Sequence, residues 1–167
     1  DEQTGRLARA AAEDFKKQNV KGVILDLRDN GGGYVNAAQD VASLWLDNKT
    51  IVSERRGAKT TDTIKSIGEA TLAGIPTVVV VNSNSASASE IVAGALQDHA
   101  AAKIVGEQTF GKGSVQKLMN LDGGAQLKVT IAKWYTPSGL NISSKGITPD
   151  IKSTMSREDI NAGRDPQ

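Results

Sequence analysis

The feature that most constrains the fold is a repeated order of apolar run, small-residue turn and helical pattern. Residues 22–27 and 76–82 are short runs rich in β-branched side chains, with the length and composition of buried strands. Glycines follow the first run and serines the second, and helical patterns then cover residues 35–46 and 89–99. Strands alternating with helices in this order predict an α/β domain with a mostly parallel sheet.

Further elements are expected around this core. An amphipathic helix over residues 1–18 begins without any lead-in, so we expect the chain to be part of a longer one. Other predicted elements are a strand starting at 51–52, a surface hairpin or loop at 55–74, a strand at 103–106, and a β-hairpin formed by 116–121 and 125–135. The whole of 1–167 is expected to form a single domain, with its mostly parallel sheet flanked by helices and the β-hairpin near the C-terminus.

Composition excludes several classes of function. Lys plus Arg (20) nearly balances Asp plus Glu (19), which argues against nucleic acid as a partner. The chain has no cysteine, so thiol nucleophiles, disulfides and thiolate metal sites are excluded. Its longest apolar runs are far shorter than the roughly 20 residues that cross a bilayer, and no membrane span is expected.

The candidate site lies where the two predicted strands end. Open α/β sheets bind ligands at the carboxyl ends of their strands. Here these ends carry a glycine run, residues 31–33, and a serine cluster, residues 83–89. A serine nucleophile needs a base, and the single histidine, His99, is about three helical turns beyond the serines at a helix end expected to face solvent. A Ser-His-Asp triad is therefore disfavoured, because its members must touch.

Lysine can replace histidine if burial lowers its pKa from about 10.4. Lys112 lies between two glycines, which let the backbone approach another segment closely, and Gln116 could orient it. Taken alone, the motif also fits a lysine at the tip of a glycine turn. The glycine and lysine spacing over 106–112 resembles a phosphate-binding loop, but Gly113 stands where Ser or Thr would bind magnesium and no helix follows.

Four segments resemble the C-terminal processing peptidases, also called tail-specific proteases. The first is NSNSASASEIVAGALQD at residues 82–98, which is similar to the family's nucleophile region. The others are LDLRDNGGG at 25–33, VGEQTFGKGSVQ at 105–116, and YTPSG at 135–139 followed by GITPD at 146–150. Together they span about three-quarters of the chain in the family's order, which is more specific than any single motif.

The resemblance implies a role for each matching residue. Ser87 falls on the family's nucleophile, Lys112 on its general base and Gln116 on the residue that orients the lysine. Backbone N–H groups of Gly32 or Gly33, together with that of Ala88, fall on the oxyanion hole. The resemblance also implies a core like those of ClpP and crotonase, and it implies neither a cofactor nor a metal.

Local sequence agrees with this placement and also offers a structural alternative. A serine at the start of a helix faces the positive end of its dipole, which suits developing negative charge. Ser87 and Glu90 also fit a helix-capping box, in which Glu90 reaches back to the cap. The other serines of the cluster are expected to be turn and capping residues. Three polar residues near the glycine run are expected to hold that loop in place: Asp26, Arg28 and Asn30.

The resemblance further implies protein or peptide substrates, cleaved near their C-terminal tails, and a location in the bacterial periplasm, the cell envelope or a thylakoid lumen. Family members resembling this chain usually carry a PDZ domain before the core, and none of these 167 residues is expected to form one. We therefore expect weak or no activity from the chain alone, and possible homo-oligomers formed through an open sheet edge. Two alternatives remain: a non-catalytic peptide-binding module, and a crotonase-like acyl-transfer enzyme.

Overall fold

A computed structural model describes residues 3–143 and 145–167. The helices are α1 Thr4–Gln18, α2 Val35–Ala42, α3 Ala88–Asp98 and α4 Arg157–Asn161. The strands are β1 Val23–Asp26, β2 Thr50–Arg56, β3 Lys59–Lys65, β4 Thr77–Val81, β5 Lys103–Gly106, β6 Ser114–Asn120, β7 Gln126–Tyr135 and β8 Ile151–Lys152. The predicted order of elements is confirmed, although the second helix ends four residues earlier than expected and residues 1–2 lie outside the described part.

A parallel sheet forms the centre of the molecule, with strand order β1-β4-β5-β8. Its middle strands are short and rich in valine and isoleucine because little of either face is exposed, and α3 packs on one of these faces. On that face Val79, Val81 and Ile104 are fully buried, and they share one hydrophobic core with Ile91 and Leu96 of α3. This sheet confirms the predicted α/β class.

A second, antiparallel sheet has the order β3-β2-β7-β6. The predicted hairpin supplies β6 and β7, and β7 is long enough to pair with β2 as well, beginning with Ser53 opposite Tyr135. The strand predicted at 51–52 thus lies in this sheet and not in the parallel one. The hairpin or loop predicted at 55–74 is in part a hairpin, because β3 pairs antiparallel with β2 from Arg56 opposite Lys59 onward.

One edge of the parallel sheet is open. Strand β1 pairs only with β4 among the described strands, and its Ile24 side chain is 75% exposed. Self-association through such an edge stays a prediction. None of the helices in the described ranges is long and apolar enough to cross a membrane.

The end of β1 is tied to the C-terminal segment by Arg28. Its guanidinium donates to Asp26 at 2.7–3.1 Å and to Asp165 at 2.7 Å. The hydrogen bonds from Arg28 hold the pKa of both carboxyl groups below the usual range for aspartate. Arg28 and Asp26 therefore fix the C-terminal segment against the sheet. Asp26 also accepts from the Arg28 amide at 3.0 Å, which holds the start of the glycine loop as expected.

Candidate active site

Three loops meet at the carboxyl edge of the parallel sheet, because β1, β4 and β5 run in the same direction and end there. We call them the glycine loop (residues 27–33), the serine turn (82–87) and the lysine loop (107–113). The sequence predicted the first two as a site at this edge. The lysine loop lies beside the other two loops because β5, which it follows, pairs directly with β4.

Hydrogen bonds connect the glycine loop to the serine turn. The buried Ser85 hydroxyl donates to the carbonyl of Leu27 at 2.7 Å. The carbonyl of Asn30 accepts from the Ala86 amide and from the Ser89 hydroxyl, both at 3.0 Å. Ser85 and Ser89 are thus structural, as expected, but they bridge two loops rather than serving only their own turn.

Ser87 has an unusual backbone conformation. Its φ of 58° and ψ of −117° correspond to the first central residue of a type II′ turn, a position that strongly favours glycine. The turn is closed by the Ser89 amide, which donates to the Ala86 carbonyl at 3.2 Å. A non-glycine residue held in such a conformation costs about 1–3 kcal/mol, and strain of this kind concentrates at functional sites. Ser87 itself is half-buried at the start of α3.

Gly32 packs directly against this turn. Its φ is +92°, and a Cβ atom there would lie 2.5 Å from the Ala86 carbonyl oxygen and 2.7 Å from the Ala88 nitrogen. Both atoms belong to backbone, which cannot move aside without displacing the serine turn. Glycine is therefore required at this position for two independent reasons, the conformation and the space.

Gly32→Ala is expected to destabilise the fold by about 2 kcal/mol or more, since it combines a positive φ with a backbone clash. Gly31→Ala is the matched control, because a Cβ at Gly31 would meet no atom within 4 Å. Urea unfolding of the two variants measures the difference. Equal stabilities would show that the close packing of the glycine loop on the serine turn does not exist in solution.

The three amide N–H groups predicted to form the oxyanion hole differ in whether they already donate a hydrogen bond. The Gly32 amide donates to its own loop, to Asn30 Oδ1 at 3.0 Å, which confirms that Asn30 holds this loop. Within the described ranges the amides of Gly33 and Ala88 make no hydrogen bond. Of the three candidate oxyanion donors, only these two are therefore free to bind an incoming oxygen. Both residues line a cavity of about 150 Å³.

The lysine loop is held to the serine turn by Glu90, whose side chain is completely buried. One carboxylate oxygen, Oε1, accepts from the Thr109 hydroxyl at 2.5 Å and the Gly111 amide at 2.7 Å. The other, Oε2, accepts from the amides of Ser87 and Lys112, each at 2.8 Å. Four donors compensate the burial of this charge, which would otherwise be very unfavourable.

This arrangement brings the backbones of the two predicted catalytic residues together. Because the nitrogens of Ser87 and Lys112 each lie 2.8 Å from the same oxygen, they are no farther apart than twice that distance. The sequence indicated Glu90 only as a capping residue. The sequence carries a further signal, because Glu90 is a carboxylate in a helix whose other residues from Ala88 to Leu96 are small or apolar. The structure buries all of them.

The side chains of the predicted dyad are not joined. Lys112 is exposed, and in the part of the chain that the structure describes its Nζ makes no hydrogen bond to Ser87. Gln116 is also exposed, and its amide donates to Thr130 Oγ1 at 3.4 Å rather than contacting the lysine. The described residues thus position the lysine backbone but do not supply the desolvation that a lysine base requires.

His99 lies at the far end of α3 from Ser87, as expected. It is half-buried rather than facing solvent, and its Nε2 donates to the Thr50 carbonyl at 2.7 Å. The histidine therefore joins α3 to the second sheet and cannot reach Ser87.

Comparison with known proteins gives one consistent result. The model of peptidase family S41 matches residues 1–153. The carboxyl-terminal-processing protease of Synechocystis sp. is 47% identical over 140 residues, which are 84% of this chain and 33% of the relative. Carboxyl-terminal-processing peptidase 3, chloroplastic, of Arabidopsis thaliana is 46% identical over 145 residues, 86% of this chain and 28% of the relative.

A solved structure agrees with the sequence comparison. The photosystem II D1 C-terminal processing protease superimposes with a TM-score of 0.89 at 37% identity, over 92% of this chain and 40% of that protein. The fold is therefore that of the solved protease over most of this chain. The chain belongs to peptidase family S41, and it spans about a third of the length of the relatives it matches.

Proposed function

We propose that this chain carries the catalytic centre of a serine endopeptidase in which Ser87 is the nucleophile and Lys112 the general base. The observation that supports this most directly is the strained conformation of Ser87. Backbone strain of this kind concentrates at functional sites, and the start of α3 is a favourable place for developing negative charge.

The proposed reaction has two stages. Neutral Lys112 accepts the Ser87 hydroxyl proton while Oγ attacks a peptide carbonyl carbon, and the amides of Gly33 and Ala88 stabilise the resulting oxyanion. The protonated lysine then gives its proton to the leaving amine as the peptide bond breaks. Water hydrolyses the acyl-enzyme with Lys112 again as base, which regenerates the serine.

The lysine side chain must move for this reaction. Its backbone is anchored by Glu90, so a change of side-chain rotamer can direct Nζ toward Ser87 without moving the loop. We propose that substrate, or sequence outside this chain, covers Lys112 and supplies the missing desolvation. Gln116 would orient the lysine in that closed state.

The cavity beside the oxyanion donors indicates what the site accepts. Its volume is about 150 Å³, and its apolar lining includes Leu27, Ala38 and Val92. Such a cavity fits a small apolar side chain next to the scissile bond. We propose cleavage near the C-terminal tails of proteins, in keeping with the names of the relatives, and a periplasmic or thylakoid location, in keeping with the chloroplastic relative.

A phosphonylating serine probe tests the nucleophile directly. Reaction should add one probe group per chain, which peptide mass spectrometry would place on Ser87. Ser83→Ala is the matched control, since Ser83 is an exposed serine of the same turn. Labelling that survives in Ser87→Ala, or that occurs equally at Ser83, would contradict the proposal, as would no labelling in the longest form of the protein.

A further inference from the structure

The second sheet carries like charges opposite each other. In the pairing of β2 with β7, Arg55 is directly opposite Lys133. The neighbouring Glu54 is opposite Trp134 and therefore points to the other face of the sheet. Cations in directly opposed positions destabilise a sheet unless an anion lies between them.

Arg55 has no anionic partner in the described ranges, where neither it nor Lys133 forms an ion pair. Its guanidinium lies 4.5 Å from the centre of the Tyr135 ring. The Nε atom is buried and donates no hydrogen bond. A buried donor left without a partner costs about 1–3 kcal/mol, so this guanidinium is held against Tyr135 at a cost.

The two cations line a pocket of about 300 Å³. Its other lining residues are neutral except Arg56, and Arg56 is partly engaged because its Nε donates to the Ile131 carbonyl at 3.1 Å. No carboxylate lines the pocket. Its chemistry is thus a guanidinium and an ammonium beside a tyrosine ring, which suits a small oxyanion with two acceptor oxygens.

We propose that this pocket binds a carboxylate group of a peptide substrate. Lys133 is directly opposite Ser114 of β6, which follows Lys112 by two residues. With strands about 4.8 Å apart, the pocket therefore lies one to two strand spacings from the start of β6. Summed through Lys112, Ser114 and Lys133, this path places Arg55 within roughly 25 Å of Ser87, a span that about seven or eight extended residues cover. The inference rests on the proposed function for its peptide ligand, and the carboxylate comes either from an acidic side chain or from the peptide C-terminus.

Binding can be measured separately from cleavage in the Ser87→Ala variant. Three fluorescently labelled Ala/Ser peptides of equal length would serve as probes: a neutral peptide with a blocked C-terminus, a blocked peptide with a single glutamate, and a peptide with a free C-terminal carboxylate. We expect at least one acidic peptide to bind several-fold more tightly than the neutral one. Preference for the second or third probe identifies the source of the carboxylate.

The double variant Arg55→Gln/Lys133→Gln should abolish that preference. Lys117→Gln/Lys128→Gln is the matched control, since it removes the same charge from exposed positions of the β6–β7 hairpin that do not line the pocket. The single variant Lys133→Gln changes an exposed residue and keeps the contact of Arg55 with Tyr135, so it should fold normally. It should weaken the preference, and it therefore tests the site even if the double variant misfolds. Equal binding of all three probes, equal loss in the control, or stronger competition by phosphate than by acetate at equal ionic strength would overturn the site. None of these results would affect labelling of Ser87.

Discussion

Replacing Ser87 by glycine is expected to abolish cleavage while making the protein more stable. Removal of Oγ should lower kcat by a factor on the order of 10⁶, since only the oxyanion donors and binding contacts remain. Glycine adopts a φ of 58° and a ψ of −117° without strain, so stability should rise by about 1 kcal/mol. Cleavage of an unstructured peptide by the longest form of the protein measures the first effect, and urea unfolding measures the second.

Opposite changes in activity and stability separate catalysis from structure. A serine that only capped α3 would lose stability when removed and would leave the chemistry intact. Ser87→Ala provides the comparison, because alanine removes Oγ but keeps the strained conformation, and it should lose activity without gaining stability. A Ser87→Gly variant that cleaves substrate, or one that is much less stable than the parent, would exclude Ser87 as a nucleophile held under strain.

The lysine base is tested in the same assay. Lys112→Ala should also lose cleavage, and Lys112→Arg should not restore it because a guanidinium stays protonated. Lys117→Ala is the control, as it removes an exposed lysine from the adjoining strand. Full activity of Lys112→Arg would assign the base elsewhere.

Sequence predicted the parallel half of the fold well because each strand and helix there is specified locally. The valine run of β4 and the apolar and small residues of α3 are enough to indicate that both elements are buried. The antiparallel half was predicted only in part. Pairing of β2 with β7 joins residues about 80 positions apart, and nothing in either strand indicates which partner it will take.

The site shows the same division. The serine cluster and the glycine run follow from the position of strand ends, and Lys112 follows from the need for a base other than His99. The chain's resemblance to a family then singled out Ser87 among the serines and supported Lys112. Sequence could not predict which glycine amide is free to bind an oxyanion. The Gly32 amide is not free because it donates to the Asn30 side chain, and this contact is visible only in the structure. The orientation of Lys112 also lay beyond sequence, since a flexible exposed side chain is placed by its surroundings rather than by its neighbours in the chain.

Glu90 is the residue whose loss should most disturb both the fold and the site. Glu90→Ala removes a buried acceptor of four hydrogen bonds, leaving the Thr109 hydroxyl and three amides without it. We expect a loss of about 3–5 kcal/mol in the free energy of unfolding. Glu90→Gln should cost less, because its oxygen still accepts, but its NH₂ group would face N–H donors that need an acceptor.

A role in positioning predicts more than instability. Even at temperatures where Glu90→Gln is fully folded, kcat should fall, because the lysine loop is no longer fixed to the turn that carries Ser87. Phosphonylation of Ser87 should slow in parallel, while the acidic-peptide preference of the Arg55 pocket should persist. Glu69→Ala, which removes an exposed carboxylate, is the control and should change none of these quantities. If folded Glu90→Gln kept the parental kcat, the carboxylate would serve stability alone, and the backbone link between nucleophile and base would be incidental to catalysis.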